Sequence, residues 1–257
     1  MDFPVTREIL KQFPGWVEAF AATVPTPERA RLSGGDFRWE YPVKDAKALL
    51  VTKAVRIASG LQAAMHLADV RYTAEVMVIL RTVSDFASEI WFISEGLIGG
   101  SFTEEQNRFI AQHFASLPSD PDELAARERE YYVGRKPMAK SLRRMAEQSG
   151  VPADQIVNIT AFLNKGYDGF VHGASYSAME LFTGESFTFM MSGHKSDRFV
   201  YFAKIGVAGK LKEGLNALSY MALAWKRQDL YEELRSAFMR LDASEEDTRK
   251  ACASIRT

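Results

Sequence analysis

The sequence lacks the residues that build disulfide frameworks and cysteine-based metal sites. Its 257 residues include one cysteine, Cys252, so no disulfide can form within one chain and a cysteine-based zinc site is excluded. Histidine is also scarce, with four in the whole chain. The 32 basic and 33 acidic residues leave a formal net charge of -1, so no overall charge would recruit nucleic acid or an anionic membrane.

Long apolar runs are missing too. The longest, such as "VMVIL" at 76–80, fall far short of the ~18 residues that suggest a membrane span. The N-terminal "MDFPVTREIL" is interrupted by charge and proline, unlike a signal peptide. No phosphate-binding loop, Cys-x-x-Cys, Gly-x-Ser-x-Gly or kinase signature is found. We therefore expect a cytoplasmic protein with no membrane partner.

Helical periodicity dominates what is present. From Asp45 to about Ala68, apolar residues recur at spacings of three and four and define one helical face. These residues are Ala46, Leu50, Ala54, Ile57, Leu61, Ala64 and Ala68. A second segment, about 72–97, is apolar around most of its circumference, which is typical of a central helix in a bundle, and Gly99-Gly100 are expected to end it. A third pattern begins at Ser196 and includes Phe199, Phe202, Ile205, Ala208, Leu215, Leu218, Ala222 and Trp225.

These patterns predict an all-α fold: a single-domain bundle of roughly eight helices over 1–257, with long antiparallel helices. The core bundle would span about 45–241. Residues 1–44 would form N-terminal helices packed on it, and 242–257 a short terminal helix. At most one short β-hairpin is expected, near 185–191.

Two local signals predict further helix starts. Thr26 and Pro27 have the residue types of a cap and a first helical position, so "TPERARL" is expected to begin a helix. Ser101 and Glu104 have capping-box spacing and predict another.

Charged residues interrupt the apolar central helix. Arg81 and Asp85 lie one turn apart, and Glu89 follows one turn later. Such a stripe can be a solvated face, with pairs worth ~0.3–0.5 kcal/mol each. It can also line an internal groove, where charges are retained only when paired. We expect Arg81, Asp85, His172 and Tyr176 to form a polar, ligand-binding groove.

The stretch "NKGYDGFVHGASYS", residues 164–177, admits several interpretations. Asp168, His172 and Ser175 suggest a catalytic triad, but no strained turn supplies oxyanion donors. Asp168 and His172 could be half of a metal site, yet the chain lacks the Glu-x-x-His pairs of di-iron bundles. We therefore predict no metal and no cofactor.

Glycines favour a different explanation of the same stretch. Gly166, Gly169 and Gly173 are spaced by three and four, and each costs ~1 kcal/mol against alanine within a helix. They predict a close backbone contact, for which Gly206 and Gly209 could supply the opposing surface.

Two other sets of polar residues stand out. Arg108 and His113 have the Arg-x4-His spacing of metal-independent HEPN ribonucleases, although Phe109 replaces the polar residue that commonly follows the arginine. A basic run could track phosphates or could be a solvated face. It comprises Arg135, Lys136, Lys140, Arg143 and Arg144.

Two short motifs carry a resemblance. Leu80-Arg81 with Asp85, and Tyr167 with Val171-His172-Gly173, resemble an uncharacterised, mainly bacterial all-helical family. That family has a central Leu-Arg-x-x-x-acid helix and a late Tyr-x-x-x-Val-His-Gly motif; its acid is more often Glu, so Asp85 is a departure. The resemblance covers roughly 45–225 and extends, distantly, to HEPN-type helical bundles. It implies an all-α fold and no assigned activity.

Three functional hypotheses follow. The first is a cytoplasmic protein that binds an unknown small molecule or protein partner through the polar groove, with no catalytic role required. The alternative is a metal-independent, HEPN-like ribonuclease of a toxin or phage-defence system, with Arg108 and His113 as catalytic residues and RNA as a partner under this hypothesis alone. The second alternative is a purely structural helical assembly protein. A homo-oligomer is compatible with all three.

Overall fold

The structure is a computed structural model of the chain. It describes residues 3–31, 37–115, 133–148, 165–184 and 188–254, together with positions 154 and 158. Within these ranges, the side chains of residues 145, 148, 176, 177 and 245–254 lie outside the description.

Eight helices and one two-stranded sheet have defined bounds in the described ranges. The helices are α1 (Pro4–Ala21), α2 (Ala46–Asp69), α3 (Thr73–Gly99), α4 (Glu104–Phe114), α5 (Arg135–Gln148), α6 (Ser175–Met179), α7 (Asp197–Ala224) and α8 (Gln228–Ser254). The antiparallel strands are β1 (Glu28–Arg31) and β2 (Phe37–Glu40). Residues 165–171 are also helical. The predicted all-α bundle with one short hairpin is confirmed.

Helix α3 occupies the centre of the bundle, as its composition predicts. It packs most extensively against α2 and α7; α8 packs on α7, and α1 on α2. The predicted face is buried, with at most 1% of each side chain exposed: Val76, Leu80, Val83, Ala87 and Ile90. Burying one large apolar side chain stabilises the fold by ~1.5–3 kcal/mol, so this face contributes heavily to the core. None of the helices in the described ranges is both long and apolar enough to cross a membrane.

Helix α2 follows its sequence pattern closely. The Asp45 carboxylate accepts a hydrogen bond from the Ala48 backbone N–H at 2.9 Å and caps the helix. All seven residues of the predicted face are buried. The next helix, α3, ends where its glycines predict, because Gly100 adopts the left-handed conformation with φ 74°.

The predicted face of α7 is wrong in its first turns. Phe202 and Ile205 are 46% and 40% exposed, whereas Ala203 and Val207 are buried. From Leu215 onward, Leu215, Leu218 and Ala222 are buried as predicted, whereas Trp225 is half-buried. Ala217, Ser219 and Met221 are buried as well, although they lie outside the predicted face. Apolar residues surround the first turns of α7, so periodicity alone cannot choose the face that packs against α3.

The segment that begins at Thr26 is a strand and not the predicted helix. Strand β1 pairs with β2 in a register that places Arg29 opposite Trp39 and Arg31 opposite Phe37. Pairing with residues about ten positions away outweighs the local signal at Pro27, since a proline can also precede a strand. Residues 1–44 therefore contain one N-terminal helix, α1, and a hairpin within the part that the structure describes.

Near 185–191, where a hairpin was expected, the described residues form an isolated antiparallel bridge between Phe182 and Phe189. The Thr183 backbone N–H donates to the Thr188 carbonyl at 3.1 Å.

The capping box of α4 lies two residues later than predicted. The Thr103 hydroxyl accepts from the Gln106 backbone N–H at 3.2 Å, and the Gln106 side-chain oxygen accepts from the Thr103 N–H at 2.8 Å. Glutamine serves at the third helical position as well as glutamate does, so the Ser101 and Glu104 spacing was misleading.

Two glycines of α7 provide a matched test of the core packing. A Cβ at Gly214 would lie 3.1 Å from Ile57 Cγ2 and 3.2 Å from the Phe13 ring, whereas a Cβ at Gly209 would meet nothing within 4 Å. We expect Gly214→Ala to lower the free energy of unfolding by ~1–3 kcal/mol through overpacking. Gly209→Ala should raise it by up to ~1 kcal/mol through helix propensity. Urea denaturation measures both, and a Gly214→Ala protein as stable as Gly209→Ala would contradict this packing.

Candidate functional site

The predicted pair on α3 forms in the structure. Arg81 Nη1 makes an ion pair with Asp85 Oδ1, one turn later on the helix. The Arg81 side chain is 3% exposed, whereas that of Asp85 is 42% exposed. The guanidinium therefore lies inside the bundle, and its partner carboxylate lies at the edge.

A second carboxylate reaches Arg81 from the 165–171 helical segment. Arg81 Nε donates to Asp168 Oδ1 at 2.7 Å, and the Asp168 side chain is 33% exposed. Arg135 Nη1, at the start of α5, lies 3.8 Å from Asp168 Oδ2. We call Arg81, Asp85 and Asp168 the Arg81 cluster; it joins α3 to the 165–171 segment.

The electrostatics of the Arg81 cluster keep the guanidinium charged. Burial acts to lower the pKa of Arg81, but hydrogen bonds and charge attraction from Asp85 and Asp168 outweigh burial and raise that pKa. A buried cation with two acidic partners is the arrangement in which an interior charge can be retained.

A further polar group lies between α3 and α7. Glu213 Oε2 accepts from Lys210 Nζ at 2.6 Å and from Ser84 Oγ at 3.2 Å. Lys210 Nζ lies 5.3 Å from the centroid of the Tyr167 ring, which precedes Asp168. Burial, and secondly the Glu213 charge, raise the pKa of Tyr167. We call Ser84, Tyr167, Lys210 and Glu213 the Glu213 group.

Sequence reasoning missed the Glu213 group. Lys210 is 5% exposed and lies between two fully buried residues of α7, Val207 and Leu211, on the same side of the helix. A lysine inside an apolar helical stripe, with an acid three residues later, was the available signal.

Several buried polar atoms in these two sets have no hydrogen-bond partner among the residues that the structure describes. Arg81 Nη2 has none, and Nη1 contacts Asp85 outside hydrogen-bond geometry. Glu213 Oε1 is likewise unpartnered. Each such atom costs about 1–3 kcal/mol of desolvation, so several in one place need a physical reason.

The structure does not bring His172 to Arg81. The 165–171 helix ends at a turn in which Gly173 adopts φ 60°, and His172 is exposed there. Its side chain forms no hydrogen bond or ion pair with any residue in the described ranges. The Tyr176 side chain lies outside those ranges. Two of the four predicted groove residues, Arg81 and Asp85, are therefore together, and Asp168 takes the place expected for His172.

The close backbone contact predicted at the three glycines is wrong for two of them. A Cβ at Gly166 or Gly173 would meet nothing within 4 Å. Of the two glycines expected to oppose the stretch, Gly209 is open. A Cβ at Gly206 would lie 2.9 Å from Leu80 Cδ1 and 3.8 Å from the Tyr167 hydroxyl, so Gly206 does face the stretch, through a side chain and not through a glycine. Gly173 is instead required by its left-handed backbone. The Asp168 carboxylate binds Arg81, which leaves the triad and metal interpretations without their orienting acid.

Arg108 and His113 both lie on α4. Four residues lie between them, a step of five positions along the helix, so they point about 140° apart around the helix axis. Burial, and secondly the Lys53 charge, lower the pKa of His113 to about 4. Its ring packs edge-on against Phe114 at 4.8 Å and lines a cleft of about 260 Å³ with Trp39 and Tyr41. Arg108 does not line that cleft, and its Nε is buried without a hydrogen bond.

The basic run on α5 is largely paired with acids. Arg144 binds Glu95 of α3 through Nε at 2.5 Å and Nη2 at 2.7 Å. Arg143 pairs with Asp154 at 2.7 Å. Lys136 and Lys140 are exposed and line a cleft with Arg144. This pattern favours a solvated, acid-balanced face.

Within the part of the chain that the structure describes, no group of three or more His, Cys, Asp or Glu residues could hold a metal ion. No protein-family model, curated protein or solved structure matches the chain.

Removing Asp168 tests the energetic role of the Arg81 cluster. We expect Asp168→Ala to lower the free energy of unfolding by ~1.5–3 kcal/mol, since a charged hydrogen bond to a buried guanidinium is lost. The matched control is Asp154→Ala, which removes an ion pair to Arg143 whose side chains are 47% and 76% exposed. Exposed pairs contribute ~0–1 kcal/mol. Equal losses of stability in urea for the two variants would contradict the burial of Arg81.

The pKa of His113 predicts a pH dependence. An unfolded histidine titrates near 6.5, whereas His113 titrates at about 4, so the unfolded state binds more protons between these values. Its contribution to stability is present above pH ~6.5 and is lost as pH falls toward ~4. Between about pH 7.5 and about pH 5 the loss is on the order of 2 kcal/mol.

The His113→Asn variant should therefore lose less stability than the wild type over that pH interval. His172→Asn, which replaces an exposed histidine, is the control and should follow the wild type. Urea midpoints at the two pH values measure the difference. Parallel pH profiles for His113→Asn and the wild type would rule out a depressed pKa.

Proposed function

We propose that this protein binds a small polar ligand at the Arg81 cluster. The observation that carries the proposal is the buried guanidinium with Nη2 unpartnered, held between two partly exposed carboxylates. A purely structural ion pair stabilises the fold most when every one of its hydrogen-bond donors has a partner. Donors left unsatisfied beside accessible acceptors are the complement of a ligand that carries both kinds of group.

The chemistry of the cluster selects the ligand. Arg81 Nη2 would donate to a carbonyl or carboxylate oxygen, because a guanidinium has donors and no acceptor. The exposed sides of Asp85 and Asp168 would accept from an ammonium or amide N–H. A molecule with an acceptor and a donor close together, such as an amino acid or a small amide, satisfies both.

Charge balance argues against an anion at this place. Three cations, Arg81, Arg135 and Lys210, lie with three carboxylates, Asp85, Asp168 and Glu213. An added anion would be repelled by the two carboxylates at the edge, whereas a neutral or zwitterionic molecule would not. The ligand class is therefore uncharged overall.

The proposal includes a cytoplasmic location and no catalytic step. The ribonuclease alternative would need Arg108 and His113 to meet across two copies of the chain, since they diverge on α4. Under the structural-assembly alternative, the Arg81 cluster would only hold the 165–171 segment against α3. The resemblance to bacterial helical proteins fits each of these hypotheses.

The test is thermal unfolding of the protein with each of the standard amino acids and their amides. At a hundredfold excess over Kd, binding adds about 2.7 kcal/mol to the stability of the folded state. We expect a raised Tm in the wild type, no shift in Arg81→Met or Arg81→Lys, and a retained shift in Arg144→Met, which breaks an ion pair elsewhere. Arg81→Lys keeps the positive charge at this position but loses the planar guanidinium and its paired donors. A folded Arg81→Lys protein without a Tm shift would therefore have lost ligand recognition and not its fold. A shift retained in both Arg81 variants would refute binding at this cluster.

A further inference from the structure

The β1–β2 hairpin exposes an unusual face. Phe37 is 54% exposed and Trp39 70% exposed, and both lie on β2 with one residue between them. Successive side chains alternate between the faces of a strand, so both rings are on the same face. Exposed aromatic side chains of this size, placed together, mark an interaction surface.

Arginines complete the same face. Arg29 lies opposite Trp39 and Arg31 lies opposite Phe37 across the ladder, and directly opposed residues share a face. The Arg29 guanidinium lies 4.4 Å from the centroid of the Phe37 ring, which places the cation over the aromatic surface. We call Arg29, Arg31, Phe37 and Trp39 the hairpin face.

The two arginines are not neutralised by acids. In the described ranges no carboxylate pairs with Arg29 or Arg31. On the opposite face, by contrast, Arg38 pairs with Glu40, which also pairs with Lys44 beyond the end of β2. Among the described strand residues, the arginines without a carboxylate partner therefore lie on the face that carries the exposed rings.

We propose that the hairpin face binds single-stranded nucleic acid, with bases stacked on Phe37 and Trp39 and phosphates held by Arg29 and Arg31. Alternating rings and unpaired arginines match a polymer that alternates bases and phosphates. Residues two apart along a strand are separated by about 7 Å of backbone, so each ring can receive a separate base of an unstacked strand. Every base has a π face, so the site selects a single strand and not a sequence.

This inference is independent of the Arg81 cluster. The near-neutral net charge of the chain does not oppose it, because the attraction arises from two local arginines. An apolar partner protein would leave those arginines without counter-charges, which makes nucleic acid the better complement. Trp39 also lines the cleft that contains Glu40, Tyr41 and His113, so its ring borders α4 as well as the hairpin face.

The experiment is fluorescence anisotropy of labelled oligouridine and oligodeoxythymidine, with a DNA duplex for comparison, over a series of salt concentrations. We expect both single strands to bind more tightly than the duplex. Trp39→Ala should weaken binding about tenfold or more, and Trp39→Phe should retain most of it. Arg29→Ala with Arg31→Ala should reduce the slope of log K against log salt by about 1.4, or about 0.7 for each phosphate contact.

Two controls isolate the hairpin face. Arg235→Ala removes an exposed arginine that lies over the Phe238 ring on α8, and Met191→Ala removes a side chain that is 82% exposed. Both should bind as the wild type does. Circular dichroism checks that the hairpin variants remain folded.

Three outcomes would overturn the proposal. One is the absence of binding to either single strand at low salt. Another is binding that Trp39→Ala and the double arginine variant leave unchanged. In the third, the wild type binds no nucleic acid but self-associates in sedimentation, and Trp39→Ala no longer self-associates. That result would make the hairpin face a contact between copies of this chain.

Discussion

The packing of α3 depends on one costly interaction, the enclosure of the Arg81 guanidinium. Removing a cation from water costs several kcal/mol of desolvation free energy, and the attraction of Asp85 and Asp168 must offset most of it. Asp85 belongs to α3 itself, so it adds no tertiary constraint. Asp168 belongs to the 165–171 segment and can reach Arg81 only if that segment lies against α3. The ion pair therefore holds this segment against α3, together with the packing of Tyr167 on the core.

The same principle applies along the whole of α3. One turn beyond Arg81, Ser84 reaches Glu213 on α7. Glu89 pairs with Lys53 of α2 at 2.7 Å, and burial raises the pKa of Glu89 although Lys53 acts against it. Glu95 accepts from Ser141 and Arg144 of α5. An apolar face tolerates small shifts of a helix along and around its axis, whereas each of these polar contacts can form in one arrangement only. The central helix thus uses its few polar residues to place four neighbours.

The features of the fold that the sequence predicts are those that depend on residues within a few helical turns of one another. The buried faces of α2 and α3 follow from apolar spacing, and the end of α3 follows from Gly100, because both depend on residues within a few turns. The hairpin did not follow, since the partner of Arg29 is Trp39 and helix signals at Pro27 carry no information about it. Arg81 and Asp85 were found as an i, i+4 pair. The same one-turn spacing suggested that Asp168 pairs with His172. Its partner in the structure is Arg81, which lies 87 residues earlier in the chain.

The two proposed sites differ in how their charges are arranged, and this determines what each can bind. At the Arg81 cluster, opposite charges are interleaved and mostly enclosed, so the field outside is weak and recognition must come from directed hydrogen bonds to a small molecule. On the hairpin face, two exposed arginines lie beside exposed rings, and no carboxylate in the described ranges pairs with them. There the attraction is long-ranged, is screened by salt and is indifferent to sequence. A ligand suited to one surface is therefore unsuited to the other, and each can be occupied without competition.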